Sequence, residues 1–187
     1  MTQLVAGLDE VGAGAFAGPL VIVAAAFSGE RPDTLEGLTD SKRMTKVKRE
    51  KLFPHILEAA EFLQVGYAAP WEIDERGMVW AWQAAAAMAV AGLEDALLLV
   101  DGVRHVNAYD GRQDLVVKGD LKYWQISAAS VVAKVSRDRE MTYLGETYPA
   151  YCWGSNSGYG SKKHREIILR DGPCQMHRLS FLKKLRK

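Results

Sequence analysis

At 187 residues, 48% hydrophobic and 25% charged, the chain is long enough to bury a core and is expected to form one globular domain over 1–187. It has no run of about 18 apolar residues and no charged segment followed by an apolar stretch at its start, which argues against a membrane span or secretory leader and for a cytoplasmic protein. The net charge of +1 hides an asymmetry, because residues 161–187 hold nine Lys/Arg against two Asp/Glu, a net +7, leaving −6 on residues 1–160.

In chain order, residues 4–8 read as a strand that ends at Asp9-Glu10 and a glycine-rich turn. Residues 20–27, after Gly18-Pro19, read as a second strand returning antiparallel to the first. Ser28 to Leu38, rich in Gly, Pro and charge, reads as a loop. Thr45 to Leu63 has a helical period, with Leu52, Ile56 and Ala59-Ala60 on one side and Pro54 marking a break or a new start. Val65 to Ala69 is a further candidate strand. The alanine-rich stretch inside Trp71 to Leu93 predicts one helix, followed by an apolar strand that closes on Asp101. Ser127 to Leu144 predicts another helix, ending before Tyr148-Pro149, and residues 151–163 read as a loop. The pattern is a mixed α/β protein without internal repeats. Trp71, Trp80, Trp82 and Trp124 read as core or helix-face residues. Cys152 and Cys174 have no metal-type spacing and read as free thiols.

Four acids stand out from this frame. Asp9 and Glu10 close one apolar run, Asp101 closes the run Ala96-Leu97-Leu98-Leu99-Val100, and Asp120 precedes the small, apolar stretch Ile126 to Lys134. Carboxylates at the ends of buried strands are costly unless they hold a metal or a proton. Ligands in open α/β sheets bind beyond the carboxyl ends of strands, where acids on neighbouring strands can meet. Hard oxygen donors suit Mg²⁺ or Mn²⁺, and a pair of such ions about 3.5 to 4 Å apart cleaves phosphodiesters by activating water and stabilising the leaving oxygen. A solvated acidic turn is the plain alternative for Asp9-Glu10, and spacing alone leaves convergence of the four open. The acidic body and basic end fit an anionic metal site beside a phosphate-meeting surface, although a solvated basic helix or tail has the same composition.

Several strings, in order along nearly the whole chain, resemble the ribonuclease HII family. They include Asp9-Glu10-Val11-Gly12-Ala13-Gly14-Ala15-Phe16-Ala17-Gly18-Pro19, Asp40-Ser41-Lys42, Val100-Asp101-Gly102, Lys118-Gly119-Asp120, Ile126 to Arg139, Gly158-Tyr159-Gly160-Ser161 and His177-Arg178-Leu179-Ser180-Phe181. The resemblance implies a ribonuclease H-like fold, a central mixed sheet flanked by helices. It also implies that Asp9, Glu10, Asp101 and Asp120 are the ligands of a two-metal Mg²⁺ or Mn²⁺ site. The implied activity is hydrolysis on the 5′ side of ribonucleotides in RNA/DNA hybrids or in DNA with embedded ribonucleotides, leaving a 3′-hydroxyl and a 5′-phosphate. The main chain of the Gly12-Ala13-Gly14 loop is implied to read the ribose 2′-hydroxyl, and Tyr159 to stack on the sugar beside the junction.

One position departs from the family pattern: Ala13 stands where Gly-Arg-Gly is usual, so a guanidinium directed at phosphate is missing. A relaxed preference for single embedded ribonucleotides is the expected result. Lys42, Arg43, Lys134 and Arg137 are candidate phosphate contacts and His164 a candidate backbone contact, while His177-Arg178 is read as packing. A monomer is the expected state. The competing readings are a hybrid-binding protein that does not cut and a phosphohydrolase of small molecules.

Overall fold

The computed structural model describes residues 3–183 and 185. Its centre is a five-stranded sheet in the order β3-β2-β1-β4-β5, formed by β1 (Leu4–Val11), β2 (Leu20–Ser28), β3 (Phe62–Ala68), β4 (Ala96–Asp101) and β5 (Gln113–Val116). β2 is antiparallel to both neighbours, and β4 and β5 run parallel to β1. The carboxyl ends of β1, β4 and β5 therefore lie on one edge, where a ligand site in such a sheet is expected.

Both faces of the sheet are covered. On one, Ala6, Leu8, Ile22 and Ala24 pack against Trp82, Ala85, Ala86 and Ala89 of α3 (Met78–Ala89). On the other, Val21, Val23 and Ala25 meet Ala128, Ala129, Val131 and Val132 of α4 (Trp124–Thr147). This alternation follows the two-residue period of a strand, and it explains why β2 reads as one continuous apolar run. The small residues let α4 lie directly on the sheet: a Cβ on Gly7 would stand 2.2 Å from the main-chain carbon of Gln125.

Several boundaries differ from the expectations. β1 runs on to Val11 because its ladder with β2 continues through Glu10↔Ile22 and Val11↔Val21, which puts Asp9 and Glu10 inside the strand. β3 starts at Phe62, three residues early, since Phe62 already pairs with Ala26. Pro54 does not break α1 (Lys46–Ala59): Leu52 and Ile56 bury on either side of it, and Thr45 Oγ1 caps the start by accepting from the Lys48 amide. The helix expected over 71–93 is two, α2 (Pro70–Arg76) and α3, divided at Gly77, whose φ of +82° takes the chain out of the helical region.

β5 had no counterpart among the expected strands, being four half-exposed residues at a sheet edge. The expected loop over 151–163 contains the short α5 (Trp153–Asn156) and the start of α6 (Lys162–Asp171), which Ser161 caps. The basic end thus carries α6 and then α7 (Leu179–Leu182). Trp82 is fully buried and Trp124 packs tilted on Phe27 with centroids 4.7 Å apart, whereas Trp71 is 60% exposed. Cys152 and Cys174 are free thiols. Among the described residues, no helix is long and apolar enough to cross a membrane.

Candidate active site

Asp9 lies one residue beyond the Leu8↔Val100 pair of β1 and β4, so it neighbours Asp101 across the parallel ladder. Asp120 follows β5 in a single 3-10 turn, Gly119–Leu121. Strand alternation divides the adjacent pair: Asp9 faces α4 and Glu10 faces α3. Each acid is held by a group from another part of the fold or from the next residue. Trp82 Nε1 donates to Glu10 Oε2 at 2.9 Å, the Gly119 amide donates to Asp101 Oδ1 at 2.8 Å, and the Glu10 amide donates to Asp9 Oδ1 at 2.7 Å. Ser127 Oγ, from the first turn of α4, donates to the Asp120 carbonyl at 2.7 Å.

The acids sense one another. Burial pushes the Asp9 carboxyl up from 3.8 to about 7; the nearby Ser130 hydroxyl opposes this, and the charges of Asp101 and Glu10 reinforce it. Asp120 is also raised, first by burial and then by the negative charges of Asp40 and Asp101, with Lys42 pulling the other way. Such a site holds an excess of buried negative charge, which a divalent cation relieves, and its donors are all hard oxygens. Among the described residues, no group of three or more His, Cys, Asp or Glu side chains is arranged to hold a metal ion. The acids meet at one sheet edge without closing into a coordination cage.

An open cavity of about 320 Å³ lies over this edge, and its walls include Asp9, Glu10, Lys42, Lys134 and Tyr159. Lys42 reaches it from a 3-10 turn, Ser41–Arg43, capped by Asp40, whose Oδ1 accepts from the Lys42 amide at 2.8 Å. Ser41 Oγ and Ser130 Oγ, 2.9 Å apart, join that turn to α4 beneath the cavity. Lys134 Nζ is committed to Asp138 at 2.7 Å. Arg43 is exposed and lies 3.9 Å from Asp40.

The glycine-rich loop is held from behind by two buried guanidinium groups. Arg137 donates to the carbonyls of Ala17, Pro19 and Ser157, and Arg178 to those of Gly12, Ala13 and Gly18. Arg137 is therefore not a phosphate contact: it is fully buried and its nitrogens are spent on carbonyls. Burial lowers Arg178 to about 9, with the charge of Arg137 adding to the effect. Gly12, with φ of +87°, is needed for both conformation and space, because a Cβ there would stand 2.2 Å from Arg137 Nε. Ala13 is half-buried and Gly14 is exposed with open space around it. His164 is fully buried among Trp153, Tyr151 and His177, so it is no contact to a nucleic-acid backbone either. His177-Arg178 is packing, as expected: Ala17 and His177 form a β-bridge and the Arg178 amide donates to Phe16 O at 2.8 Å. Trp82, which sequence reading placed among core or helix-face residues, is the neighbour that bonds Glu10.

A mixed sheet with this strand order, helices on both faces and carboxylates at the ends of its parallel strands defines a ribonuclease H-like hydrolase. The likeness extends to solved structures. Ribonuclease H2 from Pyrococcus horikoshii is 30% identical with a TM-score of 0.77, covering 99% of this chain and 100% of that one. A chain of the PCNA:RNase HII complex from Archaeoglobus fulgidus is 28% identical with a TM-score of 0.80, covering 96% and 94%. The family model for ribonuclease HII matches residues 6–184, and the ribonuclease HII of Pseudoalteromonas atlantica is 42% identical over 183 residues, 97% of this chain and 91% of that protein. The chain belongs to the ribonuclease HII family, and so to the endoribonucleases of ribonuclease H type.

Proposed function

We propose that the protein cuts the ribonucleotide-containing strand of RNA/DNA hybrids, or of DNA with embedded ribonucleotides, on the 5′ side of a ribonucleotide. Asp9, Glu10, Asp101 and Asp120 hold two Mg²⁺ or Mn²⁺ ions in this reading. The observation that carries it is the meeting, at one cavity, of the buried and charge-loaded Asp9 with Glu10, Lys42 and Tyr159. When bound, the two ions supply an activated water and compensate charge at the leaving oxygen.

The chain's own part is positioning. Trp82 and the Gly119 amide each occupy one carboxylate oxygen, of Glu10 and Asp101, and the second oxygen of each would hold a cation. The main chain of Gly12, Ala13 and Gly14 faces the ribose, its carbonyls drawn inward by Arg178, and Tyr159 packs against the sugar beside it. Lys42 meets the phosphate. No protein nucleophile takes part.

The test uses end-labelled DNA duplex carrying one ribonucleotide, with Mg²⁺ or Mn²⁺, and maps the cut. Cleavage on the 5′ side of the ribonucleotide supports the proposal. Tight binding without cleavage points to a hybrid-binding protein, and turnover of monomeric phosphates alone to a small-molecule phosphohydrolase. Asp101→Asn removes one ligand charge with little change of shape, so it abolishes cleavage and leaves duplex binding. Full turnover in that variant rules out the ligand role of Asp101.

A further inference from the structure

We propose that His164 is a positioning residue for Tyr159, acting with His177 as an ordered pair of imidazoles that fixes the Gly158-Tyr159-Gly160 loop; this rests on the reading of Tyr159 as a substrate contact. Hydrogen-bond directions assign every proton in the pair. A carbonyl only accepts, so His164 Nδ1, 2.9 Å from Tyr159 O, carries the proton and donates it there. His164 Nε2 is then bare and accepts from Trp153 Nε1 at 3.1 Å and from His177 Nε2 at 3.2 Å. His177 Nδ1 accepts from the Cys174 amide at 3.0 Å, which leaves the His177 proton on Nε2, aimed at His164. All four ring nitrogens are used and each ring has one tautomer. A further proton on either ring would set two N–H groups face to face. Burial, joined by the neighbouring His164, accordingly lowers His177 to about 4.

The arrangement points at the loop. Gly158 O accepts from the Phe16 and Ala17 amides at 2.8 and 3.2 Å, Tyr159 O from His164, and Gly160 O from Arg165 Nε at 2.8 Å. The Tyr159 side chain lines the cavity, and Arg137 Cζ lies 5.3 Å from its ring centroid. The Gly158 contact ties the tyrosine loop to the glycine-rich loop, and His177 reaches that same loop through its β-bridge with Ala17, so the imidazole pair touches both substrate-facing segments. Tyr159 O also accepts from the Ser161 amide at 2.8 Å and the Tyr159 amide donates to Asn156 O at 2.9 Å, so the His164 bond anchors to the interior a turn otherwise held by its own main chain.

A double-mutant cycle tests this on the full chain with the single-ribonucleotide duplex. His164→Phe keeps a ring and loses all three bonds, and is expected to raise KM about 3- to 10-fold with a smaller change in kcat, the loss that the single bond to Tyr159 O carries. His164→Asn, whose amide nitrogen overlays Nδ1, is expected to restore most of that loss. In a Tyr159→Ala background, His164→Phe is expected to add nothing. Losses that simply multiply, or equal losses for Phe and Asn, overturn the proposal. Full activity of Tyr159→Ala alone would instead overturn the substrate-contact reading, and the inference with it. Nitrogen NMR of the imidazoles in the unmutated protein gives a second check that needs no variant to fold. The expected tautomers are Nδ1–H for His164 and Nε2–H for His177, and the reverse pair overturns the assignment.

Discussion

Trp82 and Glu10 lie 72 positions apart and are joined by the indole N–H donating to the carboxylate at 2.9 Å. The tryptophan is fully buried, so its ring is fixed by packing and the bond fixes Glu10 in turn. Partners that orient a ligand around a metal typically matter by about 10-fold or more in affinity or activity. Trp82→Phe, which keeps the ring and removes the donor, is expected to weaken Mn²⁺ binding by about that factor. Calorimetric titration of Mn²⁺ and the Mg²⁺ dependence of cleavage measure it; unchanged values in both would remove Trp82 from the site.

Asp9 links stability to pH in the chelator-treated protein. Its folded value of about 7 lies above its ordinary 3.8, so the folded chain binds this proton more tightly than the unfolded one. The stability it contributes is fully present below about pH 4 and is lost as pH rises through about 7. Asp9→Asn, uncharged at every pH, is therefore expected to melt increasingly above the parent as pH rises from about 5 to about 8, while losing cleavage. Adding Mg²⁺ to the parent is expected to raise its Tm more at the alkaline end, where no proton has to be displaced. Parallel Tm curves for parent and variant across that range would mean that Asp9 is not the group responsible.

The sheet centre, and the placing of Asp9, Asp101 and Asp120 where apolar strands end or have just ended, were legible in the sequence because their signals are local and costly. β2 is apolar at every buried position, and acids closing apolar runs have few inexpensive explanations. Arg137, His164 and Trp82 were not legible in the same way. A guanidinium spent on Ala17, Pro19 and Ser157 carbonyls looks, in one dimension, like one awaiting phosphate. At Pro54 and Gly77 local helix signals fail in opposite directions. The proline is overruled by burial of Leu52 and Ile56, while the glycine divides a stretch whose alanine content predicts continuity.

Ala13 provides a test of substrate choice. Its carbonyl is held by Arg178 at 3.1 Å, so the loop keeps its main-chain arrangement without a guanidinium at this position. Hydrolysis is expected to survive, with the preference for a single embedded ribonucleotide relaxed relative to a continuous hybrid. Ala13→Arg restores a phosphate-directed charge and is expected to sharpen that preference, since hydrogen bonds to charged groups contribute about 1.5–3 kcal/mol. The ratio of kcat/KM on the two duplexes reads the effect. A ratio that Ala13→Arg leaves where it was would show that position 13 does not set junction choice.

Gly7 is where fold and site meet most closely. An added Cβ would lie 2.2 to 2.3 Å from the Gln125 carbonyl group and the Ile126 amide nitrogen, all main chain, so no side chain can swing away to make room. The first turn of α4 has to lift from β1, and that turn carries Ser127, whose hydroxyl holds the Asp120 carbonyl. Gly7→Ala is thus expected to cost at least the ~1–3 kcal/mol of an overpacked core, and to move Asp120 relative to Asp9. Urea unfolding gives the first quantity; cleavage at a temperature where the variant is fully folded gives the second. Parent-like activity in a destabilised but folded variant would mean that the sheet edge tolerates a shift of α4, and that the Asp9 to Asp120 geometry is set from β5 instead.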